Sequence, residues 1–141
     1  MTKPKVLFIC TANAARSQMA EGLLRAKYGD RYEVFSAGTR QSSVSSRAIA
    51  VMQEIGIDIS RHRSKYLGEF RDTPIDIVVT VCNRAHELCP VFPYAKKSLH
   101  HGFRDPHACG GSDEEILAAY RSVRDEIAAW IDTTFASSVL S

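Results

Sequence analysis

The sequence predicts an α/β fold, an open four-stranded parallel sheet with helices on both faces. Two observations carry this. Short, nearly all-apolar, β-rich runs recur along the chain, and after the early runs the hydrophobic spacing changes to that of a helix. Strands that alternate with helices in this way pair in parallel, and ligand sites then form at the carboxyl ends of the strands.

Val6-Leu7-Phe8-Ile9, bounded by a Lys/Pro start and a polar turn, reads as a buried central strand. From Ser17 the period becomes helical, with Met19, Ala20, Leu23, Leu24 and Ala26 on it and Gly29-Asp30 as the stop. Tyr32 to Ala37 reads as the second strand. Ala48, Val51, Met52 and Ile55 form one face of a second helix that ends at Gly56, and Ile75 to Val81 reads as the third strand. Lys97 to His100 fits a short fourth strand. The last helix opens on Ser112 and Glu115, spaced as a capping box, and carries Ile116, Tyr120, Val123, Ile127 and Trp130 as a core stripe.

Composition sets the outer limits. The chain has 141 residues, 45% hydrophobic and 24% charged, as in ordinary globular proteins, and reads as one domain over residues 1–141. A chain of this size buries roughly two-thirds of its unfolded surface, enough for a core without disulfide or metal. Eighteen Lys and Arg against sixteen Asp and Glu leave +2, too little to suggest a nucleic-acid or membrane surface, so any anion site is local. Apolar runs such as Val6 to Cys10 fall far short of the ~20 residues of a membrane helix. The N-terminal apolar run is also shorter than the ~7 to 15 residues of a signal-peptide core. Four cysteines without such a signal read as reduced cytoplasmic thiols. A monomer is the default expectation.

The segment Cys10-Thr11-Ala12-Asn13-Ala14-Ala15-Arg16-Ser17 joins the first strand to the first helix. A tight loop entering a helix turns successive backbone N–H groups inward, making a nest for a tetrahedral oxyanion. Cys10 lies at its floor, where the same N–H groups stabilise a thiolate, and Arg16 is placed to clamp two anion oxygens. The Cys-to-Arg spacing alone is a weak motif; Ser17 and the strand-to-helix context sharpen it. The residues by themselves leave open a buried strand-end cysteine beside a surface arginine.

The chain resembles the low-molecular-weight protein tyrosine phosphatases and the thioredoxin-coupled arsenate reductases that share their fold. The likeness lies in CTANAARSQMAEGLLR at 10–25, FSAGT at 35–39, GIDISRHRSK at 56–65, VVTVCNRAHELCP at 78–90 and GFRDP at 102–106. It implies the parallel-sheet fold, an oxyanion loop, Cys10 as nucleophile and Asp105 as general acid. Asp105 also makes chemical sense: an oxygen leaving phosphorus or arsenic needs a proton, and a carboxyl group near a thiolate and a bound anion holds its proton more tightly. Read alone, Asp105-Pro106 fits a turn equally well.

Cys82 and Cys89 separate the two activities. A phosphatase needs one cysteine and a water, whereas a reductase must supply two electrons. The resemblance implies that Cys10 attacks arsenate, Cys82 attacks Cys10, and Cys89 attacks Cys82. The resulting Cys82-Cys89 disulfide is left for thioredoxin to reduce, and no metal or organic cofactor takes part. Without the resemblance the pair could equally be small apolar packing residues. If residues 83–88 are helical, the two cysteines stand ~10.5 Å apart. A disulfide needs Cα atoms within ~7 Å, so this segment is expected to unwind on oxidation. Cys109 has no assigned role.

The chain carries alanine at 12, 14 and 15, where arsenate reductases often have Gly, Ser and Cys. A positive φ at position 12 would cost alanine on the order of 1 kcal/mol. Some relatives hold potassium with Asn13, a serine like Ser36 and an acidic residue. The last of these positions is Lys65 here, so the lysine is expected in the ion's place. The five histidines show no metal-ligand spacing and read as solvated or loop residues, and Tyr28, Tyr66 and Tyr94 read as packing residues. The alternatives to a reductase are a tyrosine phosphatase, with Cys82 and Cys89 idle, and a non-catalytic oxyanion-binding module.

Overall fold

The computed structural model describes residues 3–40, 42–81 and 95–136. Four parallel strands, β1 (Lys5–Cys10), β2 (Glu33–Gly38), β3 (Ile77–Thr80) and β4 (Lys97–His100), lie in the order β2-β1-β3-β4. Among the described residues three α-helices accompany them: α1 (Arg16–Tyr28), α2 (Ser46–Gln53) and α3 (Asp113–Phe135). This is the predicted α/β sheet.

β1 is apolar from Val6 onward because both of its faces are covered there: Val6, Leu7, Phe8 and Ile9 are fully buried. Phe8 packs edge-on against Phe135 of α3. The opposite face carries Leu7 and its register partner Phe35, whose ring meets Phe70 in the 3-10 turn Leu67–Phe70. β2 lies on one side of β1 and β3 on the other, so the strand order switches at β1. A crevice therefore opens beyond its carboxyl end, at Cys10.

Sequence signals set most of the element ends. Ser45 caps α2 by accepting from the Ala48 amide, and Gly56, at φ +79°, follows in a left-handed conformation that suits glycine. Ser112 and Glu115 form the expected capping box on α3. Two packing expectations change. α2 ends at Gln53, which leaves Ile55 in solvent at 43% exposure, and Tyr66 is exposed as well. α3 continues beyond Trp130 to Phe135, which is buried and meets both Phe8 and Tyr32 edge-on. No helix among the described residues is long and apolar enough to cross a membrane.

Candidate active site

The anion loop begins at Cys10, the last residue of β1, and ends in the first turn of α1. The loop's carbonyls show how the backbone is held. Cys10 O accepts from the Thr39 amide (3.2 Å), Thr11 O from the Arg40 amide (3.0 Å) and Ala12 O from Ser64 Oγ (2.9 Å). Asn13 O accepts from Gln18 Nε2 (3.1 Å) and Ala14 O from the Ser45 amide (2.8 Å). In a trans peptide the carbonyl and the following N–H point opposite ways. These anchors therefore turn the N–H groups away from the carbonyls' partners, which is how a nest presents its donors to an anion. Gly38 permits the close approach of β2, since a Cβ there would lie 2.7 Å from both Asn13 N and Thr11 O.

The cradle is made of backbone, so Ala12, Ala14 and Ala15 are compatible with it. Ala12 has no positive φ, so the penalty such a φ would carry does not arise. Among the described residues the non-glycine with positive φ is Asn13, at +52°, and asparagine tolerates this conformation. Asn13 and Ser17 do not line the cavity; both are fully buried beneath it.

Asn13 holds this layer together. Its Oδ1 accepts from the Lys65 amide and from Gln18 Nε2, which fixes the orientation of the side-chain amide. Its Nδ2 then donates to Ser17 Oγ (2.8 Å) and Ser36 Oγ (2.9 Å). Each hydroxyl accepts that bond and keeps its own proton to give. Ser17 Oγ, 2.8 Å from Cys10 Sγ, is thus a donor to a thiolate, and Ser36 donates to the Glu21 carboxylate. Asn13→Ala is expected to lower the unfolding free energy by about 2–4 kcal/mol, through backbone strain and buried groups left unpaired. A urea midpoint equal to the parent's would contradict this role.

Glu21 is buried and surrounded by cations. Arg25 bonds its Oε2 at 2.6 Å, and Lys65 Nζ lies 3.8 Å from Oε1 while donating to Arg63 O at 3.0 Å. Burial pushes the Lys65 ammonium pKa down, and Glu21 opposes that shift. Lys65 thus supplies a positive charge beside Asn13, Ser36 and Glu21, and like-charge repulsion makes these residues a poor fit for potassium. The thermal midpoint is expected to be the same in KCl and NaCl at equal ionic strength; a rise specific to potassium would count against this.

His62, read from sequence as a solvated or loop residue, belongs to the same network. Its Nδ1 is 2.9 Å from Gln18 Oε1 and its Nε2 is 3.2 Å from an Arg25 nitrogen. Since arginine only donates, Nε2 accepts and the ring is neutral. Burial pushes its pKa below 6.5, with Arg25 and Lys65 adding to the shift and Glu21 and Asp58 opposing it. The unfolded chain therefore binds this proton more readily than the native one. That stabilisation is complete above pH 6.5 and is lost as pH falls from 6.5 through the native value. The urea midpoint is expected to drop across this window, and His62→Phe to flatten the slope there; an identical slope in the variant would refute the assignment.

Arg16 and Asp105 complete the site. The Arg16 guanidinium donates to Phe103 O (3.0 Å) and lies 4.0 Å from Asp105 Oδ2. Asp105 Oδ1 accepts from the His107 amide and caps the 3-10 turn Pro106–Cys109, so the Asp-Pro pair both makes a turn and faces the site. Cys10, Thr11, Ala12, Ala14, Ala15, Arg16 and Asp105 line one cavity of about 1120 Å³. Cys82 and Cys89, with the segment between them, lie outside the described residues, as does Tyr94.

The sequence profile of the low molecular weight phosphotyrosine protein phosphatases matches residues 5–138. The chain belongs to that family. An arsenate reductase of Halalkalibacterium halodurans is 44% identical over 133 residues, 94% of this chain and 96% of its own. A solved arsenate reductase in the phosphate binding state superposes with TM-score 0.81 at 32% identity, covering 94% of this chain and 97% of that one. A low molecular weight protein tyrosine phosphatase from T. tengcongensis superposes with TM-score 0.79 at 30% identity, covering 95% and 99%. The protein is thus an enzyme of the group that joins arsenate reductases and low molecular weight phosphatases. Gln18, Ser45 and Ser64, which help to hold the anion loop, escaped the sequence reading. The available signal was a run of polar residues on α1, a helix buried at every position from Ser17 to Leu24.

Proposed function

We propose that the protein reduces arsenate to arsenite by a three-cysteine relay recycled by thioredoxin. The observation that carries this is the anion loop with Cys10 at its base and Arg16 and Asp105 on one cavity, in a chain that also has Cys82 and Cys89. Arsenate reductases are among its close relatives.

Arsenate binds to the loop amides and Arg16. The Cys10 thiolate attacks arsenic and forms an S–As bond while one oxygen leaves as water, taking its proton from Asp105. The Cys82 thiolate then attacks Cys10 Sγ. The S–S bond forms as the S–As bond breaks, and that bond's electron pair stays on arsenic, taking it from As(V) to As(III) as arsenite. Cys89 next attacks Cys82 Sγ and releases Cys10 as a thiolate. A reduced thioredoxin finally reduces the Cys82-Cys89 disulfide and becomes oxidised itself. The enzyme acts in the cytoplasm, as a monomer.

The test is arsenate-dependent NADPH oxidation with thioredoxin and thioredoxin reductase. The parent turns over, and Cys82→Ser and Cys89→Ser each lose steady-state activity. The structural match to a phosphatase favours one second reading, phosphate monoester hydrolysis on Cys10, Arg16 and Asp105 alone. An inactive parent that hydrolyses para-nitrophenyl phosphate, with Cys82→Ser indifferent, would establish that reading instead.

A further inference from the structure

The cavity above Cys10 is charged well beyond the anion loop. Among the described residues four arginines, Arg16, Arg40, Arg47 and Arg104, line it against one carboxylate, Asp105. Three of the four are answered locally. Arg47 pairs with Asp113 at 3.0 Å, Arg104 lies 3.6 Å from Glu126 and bonds Ser122, and Arg16 faces Asp105. Arg40 has no carboxylate at ion-pair distance among the described residues, although it lines the same cavity as the nucleophile. Its main chain is held by the loop itself, because its amide donates to Thr11 O. A charge with no carboxylate partner among the described residues, on a backbone held by the loop and lining a cavity far larger than one oxyanion, raises the local concentration of anions.

We infer that Arg40 is a specificity-determining residue that draws the oxyanion into the cavity and discriminates between an anionic substrate and a neutral product. The inference rests on the arsenate reading for its substrate. At neutral pH arsenate is an anion and arsenite is the uncharged arsenous acid. A cationic lining therefore speeds entry of the first and exerts no net pull on the second. Arg40 need not touch the reacting atoms, and its influence weakens with added salt, whose screening length is ~8 Å at physiological ionic strength.

The test uses two alkylating reagents of similar size, anionic iodoacetate and neutral iodoacetamide, with modification read at the Cys10 peptide by mass spectrometry. The quantity compared is the ratio of the two rates. In low salt Arg40→Gln is expected to lower that ratio about 3-fold relative to the parent, and the difference should fade by about 0.5 M salt. Arg40→Lys should keep most of the parent ratio, because the charge is kept. General damage to the loop would slow both reagents and leave the ratio in place. The kcat/KM for arsenate should fall about 3-fold in Arg40→Gln, through KM. Equal ratios in Arg40→Gln and the parent at low salt would overturn the inference. A parent that makes no arsenite but whose ratio still depends on Arg40 would instead overturn the arsenate reading and leave Arg40 drawing in another oxyanion.

Discussion

Cys10→Ser is expected to abolish arsenate turnover, lowering the rate on the order of 10⁴-fold or more. A serine hydroxyl is not ionised at neutral pH and has no sulfur with which to form the S–As bond or the later disulfide. The backbone donors do not depend on this side chain, so the rise in thermal midpoint on adding phosphate should persist in the variant. The loop carbonyls are held by Thr39, Arg40, Ser64, Gln18 and Ser45, and none of these anchors uses the Cys10 sulfur. Residual turnover within tenfold of the parent would exclude Cys10 as the nucleophile.

Asp105→Asn is expected to slow the first chemical step by about 10²- to 10⁴-fold, the usual contribution of a general acid. The asparagine oxygen can still accept from the His107 amide, so the turn at Pro106 is preserved and only the proton is lost. Removing the charge opposite Arg16 also leaves that guanidinium freer to bind the anion, so binding should not weaken. Single-turnover arsenite formation separates the chemistry from recycling. The limb of the pH profile that reports loss of the acid's proton should vanish in the variant. A first step within 3-fold of the parent, with that limb intact, would assign the proton to another group.

The sheet was legible because β1 is buried on both faces, so Val6 to Ile9 had to be uniformly apolar. The loop at Cys10 was placed correctly between β1 and α1 for a related reason: the proposed nucleophile, nest and clamp are local in sequence, all between Cys10 and Arg16. The layer beneath it was not legible from local pattern: the resemblance alone had grouped Asn13, Ser36 and Lys65, and Glu21 was missed. Asn13, Glu21, Ser36 and Lys65 come from four separate segments, and only tertiary packing sets the Lys65 ammonium beside the Glu21 carboxylate. On an amphipathic helix Gln18 and Glu21 would read as solvent-facing, yet α1 is covered around its first two turns and both are buried. His62 lies in a loop as read, but its partners were hidden for the same reason, since its bonds to Gln18 and Arg25 span 44 and 37 residues. Ile55 erred in the other direction. The helical period continued through it, but the chain leaves the helix at Gln53 and turns at Gly56.

The arsenate relay is tested most directly by a single turnover without thioredoxin. Fully reduced protein is mixed with excess arsenate, arsenite is counted, and the disulfide is located by mass spectrometry. The relay predicts one arsenite per protein and a Cys82-Cys89 disulfide, with Cys10 and Cys109 left as thiols. No arsenite, with all four cysteines of the chain still reduced, would contradict it.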